Sequence, residues 1–345
     1  MARNAKRKSP GISILAIYHV NSSSQEPISA FTSPDKTKNK SLNMTKIAII
    51  TVNFHTLSDT LELLKSLKNA TLPKEIKLRL YVVDSQSTSG ISDKVKAIFP
   101  DAKISSNKNN LGFAASNNVG IRQALQDKND WIVLINNDCY IAKDFFQKLI
   151  DTPISKPEIG AVSGLIYFAP GFEFETGYSK KDLGKVIWYG GGFFDWANVL
   201  GSNKYVNQVD TGQLKVGDTD FACGAFLITR SDVLTKTGLF NEDYFMYLED
   251  VELSHRIHLA GYKILFDPGT KIWHKVAQSS AIGSPLNDYF ITRNRLLFGM
   301  RYTKFRTKFA LFRESLRKLI NGTKAQKTAI TDYFTNHLGK GSWVK

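Results

Sequence analysis

Cysteine is almost missing from this chain of 345 residues. Cys139 and Cys223 are the only two, which excludes a disulfide framework and suits a reducing, cytoplasmic setting. Long apolar runs are missing as well, and no stretch reaches the roughly 18–20 apolar residues of a spanning helix. The nearest candidate, Gly11–Val20, follows Arg3, Lys6, Arg7 and Lys8 like the opening of a signal peptide. It is short, however, and lacks a small-residue cleavage site before the polar Ser22–Lys46. Glycine, at 24 residues, is too scarce for a fibrous repeat, and there is no internal repeat or low-complexity tract. Neither G-x-G-x-x-G nor G-x-x-x-x-G-K-S/T occurs, so the usual nucleotide signatures are absent. What remains is 42% hydrophobic residues, too many for disorder, over a length that suits one large α/β domain or two ordinary ones.

Acidic residues are scarce at both ends. Residues 1–46 carry eight Lys/Arg against Glu26 and Asp35, and residues 285–345 carry thirteen against Asp288, Glu314 and Asp332. The ends therefore hold +6 and +10 of a net +15, which leaves 47–284 at −1. A near-neutral body with basic ends points to contact with a polyanion, either nucleic acid or an anionic membrane, unless the charge is merely solvated. Residues 1–45 read as a disordered basic leader, with Met44 directly before the first ordered segment as an alternative start.

From Lys46 the pattern turns regular. Ile47–Val52 is a β-branched run ending in Asn53, and Leu57, Leu61, Leu64 and Leu67 follow at helical spacing. Strands are expected at 78–83, 102–105 and 131–135, and helices at 92–99 and 114–125. Alternating strands and helices with short links predict an open, mostly parallel sheet covered on both faces. Ligands bind such sheets beyond the carboxyl ends of the strands. Polar residues gather there: Thr51 and Asn53, Asp84 and Gln86, Asn136 and Asp138. Further on, strands are expected at 159–168, 221–229 and 262–266, and helices at 231–238 and 250–260. The segment from 286 to about 320 reads as helical and basic, with a last helix at 324–337.

Several short segments carry chemistry, each with a plainer explanation beside it. Asn136-Asn137-Asp138 closes a strand where a carboxylate suits a hard divalent cation completed by substrate phosphates. Asn and Asp also favour such turns for backbone reasons. Glu249-Asp250 precedes an amphipathic helix, whose positive end welcomes acids; two close carboxylates can also supply a general base. His274, alone after a strand and loop, is a ligand or a structural histidine. Asn110-Leu111-Gly112-Phe113 with Asn117-Asn118 opens a helix whose amides and Gly112 could admit a phosphate or base.

Taken together these segments resemble the inverting glycosyltransferases of family 2, and within them the rhamnosyltransferase-like branch. The resemblance runs over about 46–308. It rests above all on Phe-Asn-Glu-Asp-Tyr-Phe-Met-Tyr-Leu-Glu-Asp-Val-Glu-Leu-Ser-His-Arg, residues 240–256. It implies a GT-A fold, an α/β sandwich with a mostly parallel sheet, whose catalytic domain spans 46–284. Residues 46–140 would be the nucleotide-binding half and 141–284 the acceptor-binding half. Thr51, Asn53, Asp84 and Gln86 would line the nucleotide pocket, with Asn110, Gly112, Asn117 and Asn136 bordering nucleotide or donor sugar. Asp138, matching the last acid of D-x-D, and His274 would hold Mg²⁺ or Mn²⁺. Asp250 would be the general base, with Glu249 contacting the acceptor. The first acid of D-x-D is Asn136 here, leaving one strong oxygen anion for the metal. Ser85-Gln86 also departs from the common Asn followed by a small residue.

The same resemblance implies a nucleotide-sugar donor, dTDP-rhamnose or a UDP-sugar, and a glycan or lipid-linked acceptor in bacterial surface polysaccharide synthesis. Residues 285–345 then read as a basic amphipathic helical tail meeting an anionic membrane surface. In it Arg293 could touch an acceptor phosphate. The alternative is a helix packed on the catalytic domain with a solvated basic face. The expected location is cytoplasmic, peripheral on the inner membrane. A sugar-nucleotide pyrophosphorylase would need a Gly-rich basic loop where Asn53-Phe54-His55-Thr56 stands. A nucleic-acid-binding module would need charge on the body, so no nucleic-acid partner is expected. An inactive scaffold is the remaining rival.

Overall fold

Strand β1 (Thr45–Asn53) shows how the sequence builds the core. Its Ile47 and Ile49 point into one cluster with Leu63, Leu64 and Leu67 of helix α1 (Leu57–Asn69) and Val95 of α2 (Ile91–Ile98). Ala48 and Ile50 point the other way, against Ala114, Ile121 and Ala124 of α3 (Gly112–Gln126). A period of two with both faces apolar thus makes a strand covered by helices on both sides. Burying each large aliphatic side chain contributes about 1.5–3 kcal/mol. Helix α3 lies close to the sheet because Gly120 has no Cβ; one there would stand 2.5 Å from Ile50.

The computed structural model describes residues 44–86, 90–276 and 284–343. The leader expected over 1–45 therefore lies outside the described residues except for Met44 and Thr45. The first half continues with β2 (Ile76–Ser85), β3 (Lys103–Asn107) and β4 (Trp131–Ile135). The second contains β5 (Cys139–Ile141), α4 (Phe145–Ile150), β6 (Ile159–Phe168), β7 (Ile187–Tyr189) and a hairpin of β8 (Gly192–Asp195) and β9 (Leu200–Asn203). Then come β10 (Gly217–Asp218), β11 (Phe226–Arg230), α5 (Ser231–Thr237), α6 (Glu249–Leu259) and β12 (Lys263–His274). Helices α7 (Pro285–Tyr302), α8 (Phe305–Asn321) and α9 (Lys324–Phe334) follow.

The main sheet runs β10-β12-β6-β11-β4-β1-β2-β3, with β5 on β12 and β7 on β6. Strands β1 to β4 are mutually parallel, and β6 and β12 are parallel, while β11 lies antiparallel between β4 and β6. One sheet thus runs through both expected halves. Chain direction reverses its progress between β1 and β4, the switch point where such sheets open a crevice. Asn53 closes β1 there, and Asn136–Asp138 closes β4.

Three expectations about elements change. The strand expected at 221–229 begins only at Phe226, because residues 221–225 turn ahead of it and Phe226 N donates to Cys223 O. Strand β12 is longer than the expected 262–266 and runs to His274. Pro268 and Gly269, which read as a loop, sit in a bulge between Asp267 and Lys271, where a missing donor is tolerated. The tail breaks into α7 and α8 at Thr303–Lys304, and α9 stops at Phe334 rather than 337.

Candidate active site

The floor of the crevice is a directed chain of hydrogen bonds. Asn137 Nδ2 donates to Thr60 Oγ1 (2.9 Å), Thr60 donates to Asn53 Oδ1 (2.8 Å), and Asn53 Nδ2 donates to Asp84 Oδ1 (2.6 Å). The in-register pairing of Asn53 with Asp84 across β1 and β2 makes the last link possible. Such chains polarise one another and fix a unique geometry. Asn53 is therefore turned along the floor, with both ends of its amide engaged. Thr51 is fully buried, and its hydroxyl has no hydrogen-bond partner among the described residues. At the rim, His55 and Gln86 both adopt left-handed backbone angles (φ 58° each) and face each other at 3.4 Å. Nothing in the sequence pattern marks His55, Thr60 or Asn137 for this role.

Strand pairing brings Asp138 to His274 across 136 positions of chain. His274 sits opposite Cys139 in the β5–β12 ladder. Its Nε2 lies 3.0 Å from Asp138 Oδ1, and its ring meets Trp188 edge-on at 4.7 Å. Both residues are shielded from solvent, and His274 Nδ1, on the far side of the ring, has no hydrogen-bond partner among the described residues. Burial would raise the Asp138 carboxyl, but the charges of His274 and Lys275 outweigh it and hold the group below its usual range. Asp138, His274 and Cys139 offer ligand atoms all within 4.8 Å of one another. Burial pushes the Cys139 thiol well up, so it stays protonated and is a poor ligand for a hard ion. One carboxylate and one imidazole remain, a fit to a divalent cation whose other positions are taken by diphosphate oxygens.

The start of α3 is not open to a phosphate, contrary to the sequence-based expectation. Leu111 N donates to Ser85 Oγ and Gly112 N to Asn110 Oδ1, while Phe113 N and Ala114 N both donate to Phe245 O. Gly112 is required by its φ of +76° and by the approach of Phe245, 2.5 Å from where a Cβ would stand. Asn117 is buried and donates to Phe113 O within its own helix, so it borders no open site. Asn110 faces a cleft of about 570 Å³ between α3 and the chain end, lined also by Glu242, Phe245, His337 and Lys340. Its neighbour Asn118 holds α3 to the next segment through Phe240 and Glu242.

That segment is strained. Phe245, Tyr247 and Leu248 have φ of 61°, 69° and 67°, left-handed values that cost about 1–3 kcal/mol each for such residues. Helix α7 holds them. Asn294 Nδ2 shares its two hydrogens among the carbonyls of Tyr244, Met246 and Tyr247 at 2.8–2.9 Å. Arg293 Nη2 donates to the carbonyls of Asp243 and Tyr244, and Nη1 to that of Gly339. Arg293 is 0% exposed and stacks against Phe290 and Tyr289. It is thus not presented to an acceptor phosphate: its donors are taken by the loop and the chain end.

The loop delivers Glu249 and Asp250 to the first turn of α6. Asp250 Oδ2 accepts from Gly224 N (2.9 Å) and Oδ1 from Val251 N (2.8 Å). The next residue, Ala225, accepts from Asn136 N, which ties the pair to the carboxyl end of β4. Burial raises the Asp250 carboxyl above its ordinary value, although the two amides pull it down. Glu249 is buried, its Oε2 lacks a partner among the described residues, and burial plus the Asp250 charge drive it well above its ordinary value. Both carboxyls are thus held above their ordinary ranges, Glu249 by burial and the Asp250 charge, Asp250 by burial alone.

A doubly wound sheet, with an acid–histidine pair just past β4 and a carboxylate pair tied to that strand end through Gly224 and Ala225, has GT-A architecture. The chain belongs to glycosyl transferase family 2, whose profile matches residues 47–238. It is 25% identical to N-acetylglucosaminyl-diphospho-decaprenol L-rhamnosyltransferase of Mycobacterium tuberculosis, over 62% of this chain and 72% of that one. It is 24% identical to poly-beta-1,6-N-acetyl-D-glucosamine synthase of Staphylococcus aureus over 64% of this chain, which spans about half that relative's length (48%). In fold it is similar to GalNAc-T7 solved with UDP, GalNAc and Mn²⁺. That match has a TM-score of 0.53 at 16% identity and covers 85% of this chain and 57% of that one. The GT-A fold and the glycosyltransferase class expected from the sequence are both met.

Proposed function

We propose that this glycosyltransferase moves a sugar from a nucleotide diphosphate to a hydroxyl of a glycan or lipid-linked acceptor, inverting the anomeric centre, in bacterial surface polysaccharide synthesis. The observation that carries the reading is the adjacent Glu249–Asp250 carboxylate pair, anchored through Gly224 beside the strand end that leads to Asp138. The rhamnosyltransferase relative favours dTDP-rhamnose as donor over a UDP-sugar and a lipid diphosphate-linked acceptor. The location in this reading is cytoplasmic and peripheral on the inner membrane, with the basic tail toward the lipid.

Asp250, ionised and at the acceptor side, takes the proton of the attacking hydroxyl. Glu249, protonated, donates a hydrogen bond to the acceptor. Asp84 and Gln86, with Thr51 and Asn53 behind them, face the base; Asn110 and Asn136 border the donor. Asp138 and His274 would hold Mg²⁺ or Mn²⁺. When bound, the ion neutralises the charge developing on the leaving diphosphate. Attack from the opposite face needs no covalent sugar–enzyme intermediate, and the two buried cysteines stay out of the reaction. With Asp138, His274 and Asp250 all in place, an inactive scaffold has no support.

A thermal-shift panel of nucleotide sugars with and without Mn²⁺ tests the reading. One donor is expected to raise the melting temperature by a few degrees only with the metal, since ligand bound to the folded state stabilises by mass action. Asp138→Ala should remove that shift. A flat panel across dTDP- and UDP-sugars would sink the donor assignment.

The pH profile gives a second check. Only ionised Asp250 accepts a proton, and its pKa is raised. Turnover at saturating donor should therefore fall tenfold per unit as pH drops through a pKa above that of a free aspartate. An acid limb at the ordinary aspartate value would contradict a buried base.

A further inference from the structure

Helix α8 turns its apolar side away from the protein. Phe305, Phe309, Phe312, Leu316, Leu319 and Ile320 recur at helical spacing on one stripe, and they are 37–80% exposed. Its packed side is narrow, with Leu311 and Ser315 buried and Glu314 paired to Arg295 (3.0 Å) and Lys318 (2.7 Å). Phe334 of α9, half exposed, extends the patch beside Phe312. The expected alternative, an apolar face packed inward and a basic face in water, is thus reversed for this helix. An apolar stripe of this size facing solvent marks a surface that something covers.

We propose that this stripe docks α8 in the plane of an anionic bilayer, a proposal that rests on the peripheral location given above and names the face responsible. The charge pattern selects the occupant. At 100° per residue Arg306, Arg313 and Arg317 form a row along one flank of the stripe, and Lys308 lies on the other. Glu314 is the one acid of α8, and it points inward to its two cations. A second copy of the chain laid on the stripe would bring cations against cations with no counter-charge. Anionic headgroups supply that charge to both flanks while the acyl boundary takes the phenylalanines. A face of this kind holds the enzyme where a lipid-linked acceptor is found.

Co-sedimentation of the full chain with phosphatidylglycerol vesicles and with phosphatidylcholine vesicles tests this. Strong binding to the first, weak binding to the second and weakening by salt are expected. The Arg306→Gln, Arg313→Gln, Arg317→Gln variant should partition on the order of a hundredfold less, from about a factor of five per cation. The Phe309→Ser, Phe312→Ser, Leu316→Ser variant should lose binding while keeping its melting temperature, because these side chains are already exposed. Both variants retain the basic leader, so the difference isolates α8. Equal binding by parent and variants, or concentration-dependent dimers that the serine variant abolishes, would overturn the proposal. The assay reads binding without turnover, so an inactive enzyme that still binds refutes only the transferase reading.

Discussion

Asp250→Asn is expected to lower turnover on the order of a thousandfold, within the range that a positioned general base contributes, while donor binding stays within about threefold. The amide has the shape of the carboxylate but cannot accept the acceptor proton at neutral pH. Both Asp250 oxygens accept backbone N–H groups, so the substitution also sets an NH₂ against Gly224 N or Val251 N. That mismatch costs about 1–3 kcal/mol, offset by no longer burying a charge. The fold therefore survives and the loss falls on kcat. Transfer from labelled donor, with the donor-induced thermal shift measured in parallel, checks both halves. Near-normal turnover with a natural acceptor would remove Asp250 from the base role.

The second large effect is expected far outside the acidic motif. Asn294→Ala removes the amide that caps three carbonyls of the strained 244–247 segment. The Met246 and Tyr247 carbonyls then lose their donor from α7, while Arg293 and Phe290 still hold Asp243–Phe245. A stability loss of roughly 2–4 kcal/mol is expected from the unsatisfied groups. The kcat of the folded fraction should fall about 10–100-fold, because Asp250 is delivered by that segment. The donor KM should stay within about threefold, since Asp84 and His274 sit on other strands and Asp138 in the turn between β4 and β5. Asn294→Asp is the sharper probe: a carboxylate cannot donate and sets negative charge against the same carbonyls. It should therefore be at least as damaging despite its equal size. A wild-type kcat in either folded variant would show that α7 merely packs.

The parallel half of the sheet was legible from local pattern alone. β1 was expected at 47–52 and runs Thr45–Asn53, and β4 matches 131–135 at both ends. A strand buried on both faces must be apolar throughout, and a helix between such strands must show its own period. Legibility stopped where backbone rules conflict with context. Pro268-Gly269 reads as a loop, yet the ladder with β6 carries β12 through it as a bulge. The α3 opening reads as a phosphate cradle, yet Phe245 O occupies its amides from a segment more than 130 positions away. Arg293 reads as a cation that could touch an acceptor phosphate, yet its carbonyl partners come from two loops that no local pattern connects.

Sequence by itself determined the class of sheet, the crevice at the carboxyl ends of β1 and β4, the acids and histidine proposed for it, and the basic ends. These follow from hydrophobic period, turn chemistry and charge, which act over a few residues. Only the tertiary structure decided which of those groups meet. The β5–β12 register sets His274 against Asp138, the Gly224 turn places Asp250 beside β4, and Asn294 holds the left-handed turn that carries it. It also decided that the phenylalanines of α8 face outward: helical spacing gathers them on one side, but which side packs depends on what α7 and α9 leave uncovered.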